Sequence, residues 1–156
     1  MYGSVIYSDN SNFSINSTLI FNNTSFEKGT LYALSSSKLD IYDSEFSNNT
    51  AIVEASIIFA NNNPDLNISF YNCSFHHNQA GSNSLTMIQS HLIFTKCNFY
   101  ENFAQRENHG ATLFNSRFHA HDTNITCKLD GYNLEDRTSI DSGFFKLIYQ
   151  SELILN

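Results

Sequence analysis

Three neighbouring side chains have the types and spacing of a metal site. His119 and His121 are separated by one residue, and Asp122 follows directly. In a β-strand alternate side chains point to the same face, so both imidazoles would project together. Imidazole and carboxylate groups are ligands that divalent transition ions accept. His119, His121 and Asp122 are therefore candidate metal ligands, but no further ligand is evident beside them. We predict no metal and no other cofactor.

Acid–base chemistry on a saccharide would need carboxylates that converge from neighbouring segments. Asp40, Asp43 and Glu45 are the nearest approach to such a cluster. They alternate with apolar residues over one short stretch, which is more typical of the solvated face of a strand. His76 and His77 are likewise expected as solvated residues. We predict no catalytic residue and no cofactor-binding residue, and the sequence favours a non-catalytic role.

Asparagines that could accept a glycan are frequent. Eight of them begin Asn-x-Ser/Thr without proline: Asn12, Asn16, Asn22, Asn23, Asn48, Asn67, Asn72 and Asn124. Random mixing of these residues would give roughly four such sites. The excess is typical of a glycoprotein, and it predicts an extracellular or cell-surface location for the chain as part of a longer precursor.

Composition limits the partners. The chain has 156 residues, a formal net charge of −7 and only eight Lys and Arg residues. Nucleic acid is not an expected partner, because phosphate binding needs a basic surface. No run of 18 apolar residues is present, so no membrane span is expected in this segment. The expected partners are carbohydrate or a surface protein.

An eight-residue pattern recurs along the chain: apolar, any, apolar, two of any kind, a small Ser, Thr or Cys, any, apolar. Its copies are LIFNNTSF (19–26), LDIYDSEF (39–46), ISFYNCSF (68–75), LIFTKCNF (92–99) and FHAHDTNI (118–125), and a sixth begins at Leu153 and Leu155. The closing residues form a predicted ladder at Phe26, Phe46, Phe75, Phe99 and Ile125, spaced by 20, 29, 24 and 26 residues. Repeats of this length are typical of solenoids.

The alternation inside each copy is the period of a β-strand, and the two-residue skip resets it as a corner would. Further short strands are predicted upstream of several copies, at Thr30–Leu34, Ser84–Ile88 and Ala111–Phe114. We therefore predict an all-β fold, a parallel β-helix of about five to six rungs whose apolar columns stack into one core.

Two polar columns follow from the same alignment. The corner column is small throughout, at Thr24, Ser44, Cys73, Cys97 and Thr123. Asn49, Asn78 and Asn102 align just past the ladder, where stacked amides can hydrogen-bond to one another. Cys73 and Cys97 should be neighbours; a disulfide would need strict geometry, and we favour buried free thiols. Cys127 lies outside the column.

The motif Phe-x-x-Asn recurs as FSNN (46–49), FHHN (75–78) and FYEN (99–102). It resembles the repeat of polymorphic outer-membrane-type surface proteins and related protist surface proteins, and the whole pattern is similar to the right-handed parallel β-helices of the pectin-lyase-like superfamily. The resemblance implies that the β-strands coil into a right-handed parallel β-helix, and it implies an adhesive role at a surface. The Gly-Gly-Ala-Ile half of that family's signature is not found in this sequence.

We expect residues 1–156 to form a single domain, flanked by further rungs or domains, with a charged loop inserted at 128–143. The favoured function is a non-catalytic repeat segment of a cell-surface or secreted protein, structural or adhesive, which presents a scaffold for glycan or protein contacts. A carbohydrate-active enzyme, a polysaccharide lyase or hydrolase of the pectin-lyase-like fold, stays open as an alternative. An end-to-end assembly subunit is a second alternative.

Overall fold

The computed structural model describes residues 5–34, 38–54, 57–61, 67–81, 85–104, 111–127, 145–148 and 150–156. The regular elements in these ranges are all β-strands. No helix that could cross a membrane occurs within them. The predicted loop at 128–143 lies outside the described residues.

Three sheets form the sides of the molecule. The first contains β1 (Ile6–Asp9), β5 (Leu31–Leu34), β9 (Ile58–Asn61), β13 (Leu85–Ile88), β16 (Ala111–Phe114) and β19 (Phe145–Ile148). The second contains β2 (Phe13–Asn16), β6 (Lys38–Tyr42), β10 (Asn67–Tyr71), β14 (His91–Thr95), β17 (Arg117–His121) and β20 (Glu152–Leu155). The third contains β3 (Leu19–Phe21), β7 (Glu45–Ser47), β11 (Ser74–His76), β15 (Asn98–Ala104) and β18 (Asn124–Cys127), with the short strands β4 (Thr24–Ser25), β8 (Thr50–Ala51) and β12 (Gln79–Ala80) beyond the next corner.

Every strand pair in the described chain is parallel, and each strand pairs with its equivalent one circuit away. The prediction of an all-β parallel solenoid is confirmed. We call one circuit a rung: the first is β1–β4, the second β5–β8, the third β9–β12, the fourth β13–β15 and the fifth β16–β18. Strands β19 and β20 stack on the fifth.

The predicted apolar columns form the core from the second rung onward. Leu39, Ile68, Leu92 and Phe118 stack in register and are fully buried. Leu153 extends this column and is partly buried, so the sixth copy of the pattern is also in place. Burial of a large apolar side chain contributes roughly 1.5–3 kcal/mol, and no single rung could bury these residues alone.

Phenylalanines fill the centre of this core. Phe46, Phe75 and Phe99 stack face to face with centroid separations of 5.1 and 4.5 Å. Phe70 and Phe94 form a second stack at 4.8 Å, and each meets Phe75 edge-on. Both arrangements lie in the favourable range for aromatic pairs.

The first copy of the pattern lies six residues before its predicted position. Phe13 and Ile15 pair with Leu39 and Ile41, and Ile20 pairs with Phe46. The first copy is therefore FSINSTLI (13–20), which fits the same template six residues earlier. Ile20 is 5% exposed, whereas Phe26, the predicted first member of the ladder, is 62% exposed. The corrected copy brings Thr18, not Thr24, to the corner and restores a spacing of 26 residues to the next rung.

Twelve corners among the described residues use the same two-residue turn. Twelve described residues other than glycine have positive φ, and each is followed by a Ser, Thr, Cys or Asn: Asn10, Ser17, Asn22, Asp43, Asn48, Asn72, His77, Gln89, Lys96, Glu101, Asn115 and Asp122. The left-handed residue turns the chain, and the small polar residue that follows bonds to backbone groups. Left-handed geometry thus falls on Asn48, not on Asn49 of the predicted amide ladder, whose φ is not positive.

Candidate functional site

A groove runs along the corner between the second and third sheets and crosses the first four rungs. Its volume is about 530 Å³. One wall is the left-handed column Ser17, Asp43, Asn72 and Lys96; the other is Leu19, Glu45, Ser74 and Asn98; the floor is Thr18, Ser44 and Cys73. The solenoid places these residues in rows, because equivalent positions in successive rungs stack at the strand spacing of about 4.8 Å.

The floor of the groove is a column of hydroxyl and thiol groups. Ser44 Oγ donates to the Tyr42 carbonyl at 2.6 Å, and it accepts from the Thr18 amide at 3.2 Å. Cys73 and Cys97 continue the column as buried free thiols, as predicted from the sequence. The hydrogen bond between the two thiols lowers the pKa of Cys73 and raises that of Cys97. Backbone register places Cys127 elsewhere, opposite Asn102.

Two tyrosines directly precede residues of the left-handed column that lines the groove. Tyr42 and Tyr71 are opposite each other in neighbouring rungs, and they are 40% and 41% exposed. Lys96 Nζ donates to the Tyr71 hydroxyl at 3.2 Å and lies 5.4 Å from the ring centroid. The hydrogen bond to Tyr71 raises the pKa of Lys96 above its usual value. Tyr71 is thus in contact with Lys96 of the groove, and Tyr42 is its counterpart in the preceding rung.

The three carboxylates singled out from the sequence do not converge. Asp40 pairs with Lys38 at 3.1 Å. Asp43 Oδ1 accepts from Asn72 Nδ2 at 2.6 Å. Glu45 Oε1 accepts from Ser47 Oγ at 2.8 Å. Asp43 and Glu45 nevertheless line the same groove.

The two histidines among the candidate metal ligands make other contacts. His119 and His121 share a face with ring centroids 6.5 Å apart, and His121 Nδ1 contacts the Asn156 amide at 3.2 Å. His119 packs instead against His91, with Nε2 3.7 Å from a Glu152 carboxylate oxygen. Burial, more than the neighbouring His119 and Arg117, lowers the pKa of His91. Within the described ranges, no three His, Cys, Asp or Glu side chains are placed to hold a metal ion.

The predicted amide ladder is present and is one member longer. Asn49 Nδ2 donates to Asn78 Oδ1 at 3.0 Å, and Asn78 Nδ2 donates to Asn102 Oδ1 at 2.9 Å. Asn23 adds a member by donating to Asn49 Oδ1 at 2.9 Å. The wrong register of the first copy concealed Asn23, because only FSINSTLI places an asparagine three residues after the ladder position.

The candidate glycosylation sites fall into two groups. Seven of the eight are exposed: Asn12, Asn16, Asn22, Asn48, Asn67, Asn72 and Asn124. Asn23 is half-buried, and its amide nitrogen donates to Phe21 O as well as to Asn49. A glycan on Asn23 would require the end of the amide ladder to open, so glycosylation of the other seven asparagines is the prediction compatible with this fold.

Sequence reasoning missed a pair of histidines. His77 is exposed, as predicted, whereas the His76 side chain is only 15% exposed. Both also have partners: His76 Nε2 lies 3.1 Å from Glu45 Oε1, and His77 Nε2 lies 2.7 Å from Glu101 Oε2. Their Nδ1 atoms are 2.9 Å apart. Only an alignment of successive rungs could have indicated these contacts, since Glu45 lies one rung before the histidines and Glu101 one rung after them.

Comparison with known proteins yields no match to a family model, to a curated protein or to a solved structure. The functional proposals below therefore depend on the geometry of this chain.

Proposed function

We propose that this chain is a non-catalytic β-solenoid segment of a cell-surface or secreted protein, and that it binds carbohydrate along the groove between its second and third sheets. The location is supported by seven exposed Asn-x-Ser/Thr sites. Kinship to the pectin-lyase-like superfamily, with its right-handed coil and Phe-x-x-Asn surface repeats, is part of the same proposal and is supported by the recurring motif and the parallel fold.

One observation carries the binding proposal: the exposed Tyr42 and Tyr71 directly precede Asp43 and Asn72, which line a groove that offers both hydrogen-bond donors and acceptors. Sugar rings present an apolar face that packs on aromatic side chains, and hydroxyls that pair with amides, carboxylates and hydroxyls. Ser74 and Asn98 supply such partners in two successive rungs along one wall of the groove. The net charge of −7 favours a neutral oligosaccharide over an acidic one.

A glycan array probed with the full 156-residue chain tests this function. We expect binding to neutral oligosaccharides, and we expect Tyr71→Ala to lower the affinity about tenfold by removing one aromatic contact. Tyr7→Ala is the matched control, because Tyr7 is an exposed tyrosine of the first sheet whose sequence neighbours do not line the groove, whereas Tyr71 contacts the groove residue Lys96. Absence of binding to any glycan, or equal losses in the two variants, would refute the proposal.

An enzyme is favoured by one observation only, that Asp43 and Glu45 line the same groove. Glycoside hydrolysis requires two carboxylates on either side of the scissile bond. Incubation with any polysaccharide that the array identifies, followed by measurement of new reducing ends or of unsaturated products, distinguishes the two functions. Products that disappear in both Asp43→Asn and Glu45→Gln would establish catalysis.

A further inference from the structure

Two consecutive histidines turn their rings toward each other at the corner after β11. His76 is the last residue of β11, and His77 follows it. Consecutive side chains of a strand point to opposite faces, but His77 has a φ of 54°, and this left-handed residue turns the chain. The Nδ1 atoms of the two rings are 2.9 Å apart. The corner thus brings together two ring nitrogens that an extended strand would separate.

Each ring presents its other nitrogen to a carboxylate of a neighbouring rung. His76 Nε2 lies 3.1 Å from Glu45 Oε1, and His77 Nε2 lies 2.7 Å from Glu101 Oε2. We call these four residues the histidine row. An ionised carboxylate only accepts hydrogen bonds, so a neutral imidazole in this position carries its proton on Nε2 and a lone pair on Nδ1. Metal-binding histidines are oriented in the same way, with the second ring nitrogen donating to a carboxylate or a carbonyl.

We propose that His76 and His77 bind a divalent transition ion through their two Nδ1 atoms, with water at the remaining coordination positions. Metal–nitrogen bonds are about 2.0–2.1 Å long, so two ligands at a right angle are about 2.9 Å apart and two tetrahedral ligands about 3.3 Å apart. The observed separation of 2.9 Å matches the right angle. Right-angled nitrogen and oxygen coordination is typical of Cu²⁺ and Ni²⁺, and Cu²⁺ binds most tightly in the first-row series. Cu²⁺ is therefore the ion that this pair selects.

The surroundings suit a cation bound at the surface. Glu45 and Glu101 place one carboxylate in the rung before the pair and one in the rung after it. The Tyr100 ring stacks on His76 with centroids 4.6 Å apart, and the His76 side chain is only 15% exposed, so this ring is held in place. His77 is 50% exposed, which gives the ion and its water ligands access from solvent.

Isothermal titration calorimetry of the full 156-residue chain with CuCl₂ tests the site. We expect the wild type to bind one Cu²⁺ per chain. His77→Asn removes one ligand while keeping a residue suited to left-handed geometry, and it should weaken binding at least tenfold or so. His121→Asn is the matched control, because His119 and His121 are another pair of histidines on one face, and it should leave the affinity unchanged. Absence of binding to the wild type, or equal affinities of the wild type and His77→Asn, would overturn the proposal.

The orienting role of the carboxylates has its own test. Loss of a group that orients a metal ligand costs about 10–100-fold in metal affinity. Glu101→Gln should fall near the lower end, about tenfold, because glutamine still accepts a hydrogen bond but lacks the charge. Glu54→Gln is the control, since Glu54 pairs with Lys28, and it should leave the affinity unchanged. Equal affinities in the two variants would contradict the assignment of Glu101 to this site.

A measurement on the wild type keeps the proposal falsifiable if His77→Asn does not fold. Cu²⁺ is paramagnetic and broadens the nuclear magnetic resonance signals of groups close to it. In a chain with ¹⁵N-labelled histidine, substoichiometric Cu²⁺ should broaden the ring signals of His76 and His77 first. Earlier broadening of His119 and His121, or equal broadening of all histidines, would exclude a site at the histidine row.

Discussion

Every polar atom of a buried ladder amide has a partner. Asn78 Oδ1 accepts from both the backbone amide and the side-chain amide of Asn49, and Asn78 Nδ2 donates to Phe46 O and Asn102 Oδ1. Asn49 repeats the arrangement one rung earlier with Ile20 O and Asn78 Oδ1. Both residues are fully buried. At a buried site a formed hydrogen bond adds little to folding stability, whereas an unsatisfied donor or acceptor lowers stability considerably.

Asn78→Ala should therefore destabilise the fold by about 3 kcal/mol or more, because it removes four hydrogen bonds and leaves the buried Asn49 backbone amide without its Asn78 acceptor. The measurement is the free energy of unfolding in urea. Asn98→Ala, which truncates an exposed asparagine of the neighbouring rung, should change it by less than about 0.5 kcal/mol. Similar losses in both variants would mean that the ladder contributes nothing specific to stability.

At the scale of the element, the corners explain the recurring small residues of the sequence. A strand of four or five residues ends, one residue adopts left-handed geometry, and the next residue bonds to the backbone. Ser90 and Ser116 do this between the first and second sheets, where the Ser90 amide donates to Ser116 Oγ at 3.2 Å. Left-handed geometry is unfavourable for residues with a Cβ other than Asn and Asp. Gln89, Lys96 and Glu101 adopt it nonetheless.

Replacement of Gln89, whose φ is 50°, measures the cost of left-handed backbone geometry at a corner. Gln89→Gly should stabilise the chain by up to about 1 kcal/mol, since glycine loses nothing in left-handed geometry although it is more flexible when unfolded. Gln89→Val should destabilise the chain by more than about 1 kcal/mol, because a β-branched residue rarely adopts a positive φ. Thermal unfolding of the three proteins ranks them. A valine variant as stable as the wild type would contradict this account of the corner.

The same elements show how far sequence reasoning reaches. The template predicts the strands, the columns and the amide ladder of the inner rungs, because LDIYDSEF, ISFYNCSF and LIFTKCNF each fit in only one phase. In the first rung both FSINSTLI and LIFNNTSF fit, and only pairing to the second rung decides between them. The histidine row and the groove were not predicted, since they depend on the direction of side chains in neighbouring rungs. The contacts of the row join Glu45 to His76, 31 positions apart, and His77 to Glu101, 24 positions apart.

At the scale of the whole molecule, the described strands of each rung pair only with strands of the neighbouring rungs, so stability should be distributed along the axis. Solenoids of this kind behave approximately as a sum of rung terms and nearest-neighbour interface terms. Phe75 lies in the middle of this series and contacts phenylalanines of the second, third and fourth rungs. Ile125, in the fifth rung, pairs with Phe99 of the fourth rung and is only partly buried. The two positions therefore probe the centre and one flank of the same core.

Phe75→Ala should lower the free energy of unfolding by about 3–5 kcal/mol and weaken both flanks, because it removes the central interface of the series. Ile125→Ala should weaken the fifth rung and leave the first two rungs unchanged. Amide hydrogen exchange distinguishes these outcomes at two backbone bonds, Glu45 N to Thr18 O and Glu152 N to Ser116 O. Both amides should lose protection in Phe75→Ala, and only Glu152 should lose it in Ile125→Ala. Equal loss at both amides in Ile125→Ala would mean that the rungs unfold as one cooperative unit.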